Sequence, residues 1–163
     1  MNKFTILCVD DEREVLDSVV QDLDALSSMF DIEAANSVRE AREIIEDLER
    51  DDRQLALALC DHIMPEIKGI DYLIELNQEE FTESARKVLL TGQAGLEDTI
   101  QAINRGGLHY YVSKPWTAES LMKVVVDQLT TFIIANEPHM MNYARVLDQA
   151  RIFGAVHKVG GDY

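Results

Sequence analysis

The stretch LALALCDHIMPEIKG, Leu55–Gly69, decides the fold. Leu55 to Cys60 is apolar without a break, and Asp61 ends the run. A short run that is apolar at every position, bounded by Pro and Gly, reads as a strand covered on both faces. Working outward, three more segments have that character: FTILCV (4–9), RKVLLT (86–91) and LHYYVS (108–113). FDIEAA (30–35) is a weaker fifth. Between them lie segments with apolar residues at helical spacing, at 11–26, 37–50, 69–79, 96–106 and 117–134. Ser37 with Glu40, and Thr117 with Ser120, supply helix starts, while Gly106 and Gly107 stop a helix.

Strict strand–helix alternation with two-faced strands predicts an α/β fold with a parallel sheet. About 125 residues is half of what a closed eight-fold barrel needs. The expectation is therefore a doubly wound, five-stranded open sheet of flavodoxin-like order 2-1-3-4-5, with a C-terminal helical extension. Residues 1–132 form the main domain and 133–163 a helical tail.

The net charge of −15 is uneven. Residues 133–163 carry three acids and three bases, so the imbalance lies wholly in 1–132. Such a chain should repel nucleic acid and anionic membrane. Cys8 and Cys60 fall inside predicted strands without zinc-type spacing, and read as buried reduced thiols of a cytoplasmic protein. No apolar run approaches the length of a membrane span.

In an open parallel sheet, ligands sit beyond the carboxyl ends of the strands. There the sequence places Asp10, Asp11 and Glu12 after strand one and Asp61 after strand three. Thr91 ends strand four, and Lys114 and Pro115 follow strand five. Crowded carboxylates repel one another until a cation or proton relieves them. Oxygen ligands without His or Cys favour a hard ion, Mg²⁺ before Ca²⁺. Lys114 suits a phosphoryl oxygen and Thr91 offers a hydroxyl. A carboxylate nucleophile in that company makes a phosphoryl-transfer site that forms an aspartyl phosphate.

CVDDE (8–12), CDHIMPEIKG (60–69), VLLTG (88–92) and YYVSKPW (110–116), in that order, resemble the receiver domain of two-component response regulators over residues 3–132. The resemblance implies that Asp61 accepts a phosphoryl group from a sensor histidine kinase or phosphotransfer protein. It implies Mg²⁺ ligation by Asp10, Asp11, Asp61 and the Ile63 carbonyl, with Lys114 and Thr91 on the phosphoryl oxygens. It also implies a cis Lys114–Pro115 bond, and Tyr111 as the aromatic that swings inward on activation. Output would pass through the face built from the fourth helix (96–106), fifth strand and fifth helix. Residues 89–116 are similar to receivers that often precede HD-GYP phosphodiesterase or other signalling modules. Neither an HD nor a GYP tripeptide occurs in this sequence.

Two other classes stay open: a phosphorylation-independent binding module of the same fold, and an aspartyl-phosphate phosphohydrolase. The second would want Asp-x-Asp after strand one, where the chain has Asp10-Asp11-Glu12. His62 reads as solvated, Trp116 as packing and Met64 as wall. In the tail, HMMNYARVLDQARIF (139–153) reads as one helix. Met140, Tyr143, Leu147 and Ala150, with Leu129, Ile133 and Asn136, form a seam that a second copy or a partner's helix would cover. A helix docked on its own domain is the alternative, and the Gly-rich end is expected to be mobile.

Overall fold

In the computed structural model, the structure describes residues 2–92, 108–113 and 115–160. The elements are β1 (Phe4–Val9), α1 (Arg13–Asp22), β2 (Asp31–Ala35), α2 (Val38–Arg50), β3 (Gln54–Asp61), α3 (Gly69–Gln78), β4 (Arg86–Thr91), β5 (Tyr110–Ser113), α4 (Ala118–Asn136) and α5 (Gln149–Gly160). Asp24–Leu26 and Met140–Tyr143 are 3-10 turns. The helix expected at 96–106 lies outside the described residues, so the fifth predicted helix is α4.

All five strands join one parallel sheet in the order β2-β1-β3-β4-β5, as expected. Alternate β1 side chains face opposite layers. Phe4, Ile6 and Cys8 pack with α1 and α4, and Leu7 and Val9 with α2 and α3. Burial pushes the Cys8 thiol up to about 12, so it is an inert core group. Cys60 is also raised, by burial first and then by the Asp61 and Asp10 charges.

One irregularity positions the site. Thr5 pairs with Leu55, but Ile6 pairs with Leu57. The extra residue is absorbed as a bulge, and Ala56 and Leu57 join the same layer. From there Val9 lies opposite Cys60, which brings the residues after them, Asp10 and Asp61, level.

Helix starts follow local chemistry. Ser37 accepts from the Glu40 N–H at 3.1 Å. Thr117 and Ser120 form a reciprocal capping box at 3.0 Å in both directions. On the α2 and α3 side, Lys87 is fully buried. Its ammonium donates to the Thr82 carbonyl (3.0 Å), the Glu83 carbonyl (2.7 Å) and Asn77 Oδ1 (3.4 Å), tying the α3–β4 turn to β4. Burial first, then Arg86, lowers its pKa to about 8.

The tail departs from the expected seam. Asn136 ends α4, and the buried Glu137 takes a 2.9 Å bond from Lys3 and another from the His139 N–H. Instead of one helix over 139–153, there is a 3-10 turn and then a new helix. Asp148 starts that helix: its Oδ1 accepts from the Arg151 N–H at 3.2 Å, as an N-cap does. Its own N–H donates to Thr130 Oγ1 of α4. Arg151 reaches Asp127 Oδ1 (2.8 Å) and Thr131 Oγ1 (2.8 Å).

Leu129, Ile133, Tyr143 and Leu147 are therefore buried within this chain, while Asn136 and Ala150 are exposed. Tyr143 packs against Phe4 and Phe30, with ring centroids 5.9 and 5.5 Å apart. The helical spacing was real for α4. Beyond Pro138 it was coincidental, because the chain turns to bring Tyr143 under β1. The end expected to be mobile is helical to Gly160. Residues 161–163 lie outside the described residues. Among the described residues, no helix is long and apolar enough to cross a membrane.

Candidate functional site

The carboxyl ends of β1, β3 and β4 carry the candidate residues. Asp10 is held in the sheet by its N–H, which donates to the Ala35 carbonyl at 3.1 Å. Its Oδ1 accepts from the Glu12 N–H at 2.8 Å, opening the turn into α1. Asn36, just past β2, donates from Nδ2 to the carbonyls of Asp10 and Asp11, both at 3.1 Å. The sequence reading missed Asn36. Its only signal was its place directly after a strand, on the edge where the acids gather.

Asp10, Asp11 and Asp61 each bring a carboxylate oxygen within 4.8 Å of the others. Asp10 (2 % exposed) and Asp61 (5 %) are buried, and Asp11 is exposed. Three carboxylates this close favour a shared cation, and an all-oxygen set partly open to water suits a hard divalent ion. The donors present fit Mg²⁺.

Behind Asp61 the backbone is locked. The His62 N–H donates to Leu90 O at 3.0 Å, and the Gly69 N–H donates to His62 O at 2.9 Å. A Cβ on Gly69 would lie 2.0 Å from Asp61 O and 2.9 Å from His62 Cα. Only glycine lets α3 start against the acid's own peptide, which accounts for a glycine eight residues after Asp61. Glu66, inside this loop, takes a φ of 72°, a strained value for a residue with a Cβ. His62 is 2 % exposed, a correction to the solvated reading. Its backbone bonds on both sides turn it inward.

Thr91 ends β4, one residue past Leu90, the partner of Asp61. Its hydroxyl is buried and has no hydrogen-bond partner among the described residues. Ile63 projects into solvent at 67 % exposure. Tyr111 is also exposed and stacks on Tyr110 with ring centroids 6.4 Å apart. Trp116 is partly buried against the α1–α4 layer. Lys114, and with it the Lys114–Pro115 peptide, lies outside the described residues, as does Gln93. The structure thus brings together Asp10, Asp11 and Asp61, places Thr91 on the neighbouring strand end, and keeps Tyr111 at the sheet edge.

A family model described as the response regulator receiver domain matches residues 6–126. The chain belongs to that family. Receivers serve phosphorylation-dependent two-component signalling, generally take phosphate from histidine kinases, and generally bind Mg²⁺ at an acidic pocket such as the one formed here. The receiver is 31% identical, over 85% of its length, to the hydrogenase transcriptional regulatory protein HoxA of Cupriavidus necator, and spans 27% of that protein. The chain thus covers about a quarter of the length of such curated relatives. Among solved structures, it is similar to a CheY-like receiver domain protein from Methanospirillum hungatei, at 27% identity and a TM-score of 0.68. That match covers 81% of this receiver and 97% of the other chain. The signal receiver domain of an HD domain-containing protein from Pseudomonas fluorescens matches at 25% identity and a TM-score of 0.68, over 80% and 98% of the two chains.

Proposed function

We propose that this receiver is a phosphorylation-dependent switch in which Asp61 accepts the phosphoryl group of a histidine kinase or phosphotransfer protein. The observation that carries the reading is the convergence of Asp10, Asp11 and Asp61 within 4.8 Å at one sheet edge. An Asp61 carboxylate oxygen attacks phosphorus, the phosphorus–nitrogen bond of the phosphohistidine breaks, and the imidazole leaves with its electron pair. Asp10, Asp11, Asp61 and the Ile63 carbonyl would hold Mg²⁺, which when bound neutralises the carboxylates and the incoming phosphoryl oxygens. Asp10, fixed by the Glu12 N–H, is a preset anchor. The Thr91 hydroxyl, without a partner among the described residues, is suited to donate to a phosphoryl oxygen, and Lys114 to bind another.

Readout follows from Thr91. A phosphoryl group that draws Thr91 inward frees space for Tyr111, now exposed, to follow, a two-position element of the kind a switch requires. The fourth helix–β5–α4 face would carry the signal, with residues 1–132 as switch and 133–163 as the attached tail. A homodimer through that face belongs to the same proposal. The tail seam no longer supports it, since Leu129, Ile133, Tyr143 and Leu147 are buried within the chain. The chemistry proposed is the receiver's own phosphorylation and its reversal, in the cytoplasm.

Incubation with acetyl phosphate and Mg²⁺, followed by intact mass, tests the core. A single stable phosphate adduct, absent from Asp61→Asn, is expected. An adduct mapped to another residue overturns the assignment. The absence of any adduct favours the phosphorylation-independent module, and rapid turnover favours the hydrolase. Analytical ultracentrifugation with and without beryllofluoride reads the dimer, and a monomer in both states removes it.

A further inference from the structure

Of the three clustered acids, Asp10 and Asp61 are buried and Asp11 is exposed. A carboxylate open to water and repelled by two neighbours should turn away from them unless its backbone holds it. That restraint comes from Asn36, which neither accepts a phosphoryl group nor offers a carboxylate.

Asn36 stands between Ala35, the buried last residue of β2, and Ser37, the N-cap of α2. An Asn just past a strand is an ordinary turn residue, and its side chain commonly bonds its own backbone two residues on. This one instead reaches a segment 26 and 25 residues away in the chain, where Nδ2 donates to the carbonyls of Asp10 and Asp11, both at 3.1 Å. Carbonyls only accept, and the amide NH₂ has one proton for each.

Those two carbonyls belong to the peptides on either side of the Asp11 Cα. A peptide is planar, so a bond to its oxygen restrains the whole plane. With both planes tied to one NH₂ group, φ and ψ of Asp11 are restrained together, and with them the direction of its Cβ. The second plane is held from both ends. In a trans peptide the C=O and N–H point opposite ways. Opposite the Asp11 carbonyl, the Glu12 N–H donates to Asp10 Oδ1 at 2.8 Å. Asn36 therefore restrains Asp11 through its backbone, and Asp10 through the N–H that grips its carboxylate. Asp61 is locked separately, by the His62 and Gly69 backbone bonds.

We propose that Asn36 is a positioning residue for the Mg²⁺ ligands, setting Asp10 and Asp11 in place before the ion arrives. The proposal rests on the reading of Asp10, Asp11 and Asp61 as a Mg²⁺ site. Without the Asn36 amide, the exposed Asp11 turns toward water in the metal-free protein, and ion binding must first recover it. Asparagine suits the place and aspartate does not. A carboxylate has no proton to give the two carbonyls, and it would add a fourth like charge.

Asn36→Ala replaces a neutral side chain by a neutral one, so it leaves the net charge at the site unchanged. A cavity of ≈ 430 Å³ opens on Asp11 and Asn36, so water can reach the freed carbonyls and the variant should fold. The control is the adjacent Ser37→Ala, which removes the α2 cap but leaves the Asn36 bonds in place. Mg²⁺ affinity is read from amide chemical shifts in an NMR titration of the full chain. Asn36→Ala should weaken Mg²⁺ binding about tenfold, the scale on which residues that orient metal ligands act. Ser37→Ala should bind as the wild type does. In metal-free buffer, the Glu12 amide should exchange its proton about tenfold faster in Asn36→Ala than in the wild type. Labelling by acetyl phosphate should need about tenfold more Mg²⁺ to reach half its maximum rate, with the rate at saturating Mg²⁺ unchanged. Wild-type Mg²⁺ affinity in Asn36→Ala overturns the proposal, as does unchanged Glu12 exchange. Equal weakening by Ser37→Ala would show general loosening of the β2–α2 turn and overturn it too. So would labelling that stays slow at saturating Mg²⁺, which would put Asn36 in the transfer step. A wild-type chain that shows no Mg²⁺ shift would sink the metal reading itself, and this proposal with it.

Discussion

At the carboxyl end of the sheet, three carboxylates lie within 4.8 Å of one another, and the buried Thr91 hydroxyl on the neighbouring strand end has no hydrogen-bond partner among the described residues. At the opposite end, one carboxylate, Glu137, is buried to the same degree as Asp61. Yet Lys3 and the His139 N–H answer it directly. Burial alone would raise the Glu137 pKa, but the Lys3 bond and the His139 N–H overcome it and leave the carboxyl below its usual range. Around that pair the rings of Phe4, Phe132, Phe30 and Tyr143 close the base, with Phe4 and Phe132 edge-on at 5.2 Å. The base spends its polar groups on stability. The rim keeps like charges together, a cost that persists only where a ligand relieves it.

The contrast makes substitutions at the two ends differ in sign. Tyr143→Ala should have the largest effect on folding. It empties an aromatic site shared by β1 and the tail, and should cost about 3 kcal/mol in urea unfolding. Acetyl phosphate labelling of the folded fraction should not change. Reduced labelling there would mean that the tail reaches the site and that the two ends are coupled.

Glu137→Gln should cost about 1.5 kcal/mol, the range for a hydrogen bond to a charged group. The mostly exposed Lys3 ammonium can return to water, which limits the loss. At the rim, Asp61→Asn should raise stability by about 1 kcal/mol in Mg²⁺-free buffer, because it removes one of three mutually repelling charges. Added Mg²⁺ should shrink the difference by stabilising only the wild type. A loss of stability in Asp61→Asn would show that the rim is not strained.

The smallest effect is pH-dependent and belongs to neither end. His109 Nδ1 accepts the Lys87 N–H at 2.9 Å and so must stay unprotonated there. Burial first, then Arg86 and Lys87, lowers its pKa from 6.5 to about 4. The unfolded chain therefore takes up the proton first. The His109 contribution is whole above pH 6.5 and is lost as pH falls toward 4. It should amount to about 1 kcal/mol after solvent screening. An NMR titration of the ring that shows an unshifted midpoint would remove this contribution.

Much of the molecule was legible in the sequence because parallel strands and their crossover helices repeat one simple periodicity. β1 and β4 match their expected bounds, and the other three strands and the helices expected at 11–26, 37–50, 69–79 and 117–134 fall within a few residues of theirs. The places of Asp10, Asp61 and Thr91 were legible for the same reason, since each directly follows or ends an apolar run, and Asp11 comes one residue after Asp10. The tail was not legible. A 3-4-3 spacing over 140–150 suits a helix, but nothing local reveals that Asp148 will cap a new helix against Thr130. Nor could spacing show that Glu137 would meet Lys3 at the far end of the chain. Asn36 and the inward turn of His62 were missed likewise, since both depend on a neighbouring strand.

By itself the sequence determined which residues stand at the strand ends, because the apolar runs stop there. Which carboxylate stands beside which was decided only in the assembled sheet. β3 is apolar on both faces, so a shift of one residue hides no charge and exposes no oil, and the pattern cannot fix the register. The bulge at Ala56 fixes it. It sets Val9 against Cys60, and so puts Asp61 level with Asp10, where the unshifted register would have put Cys60.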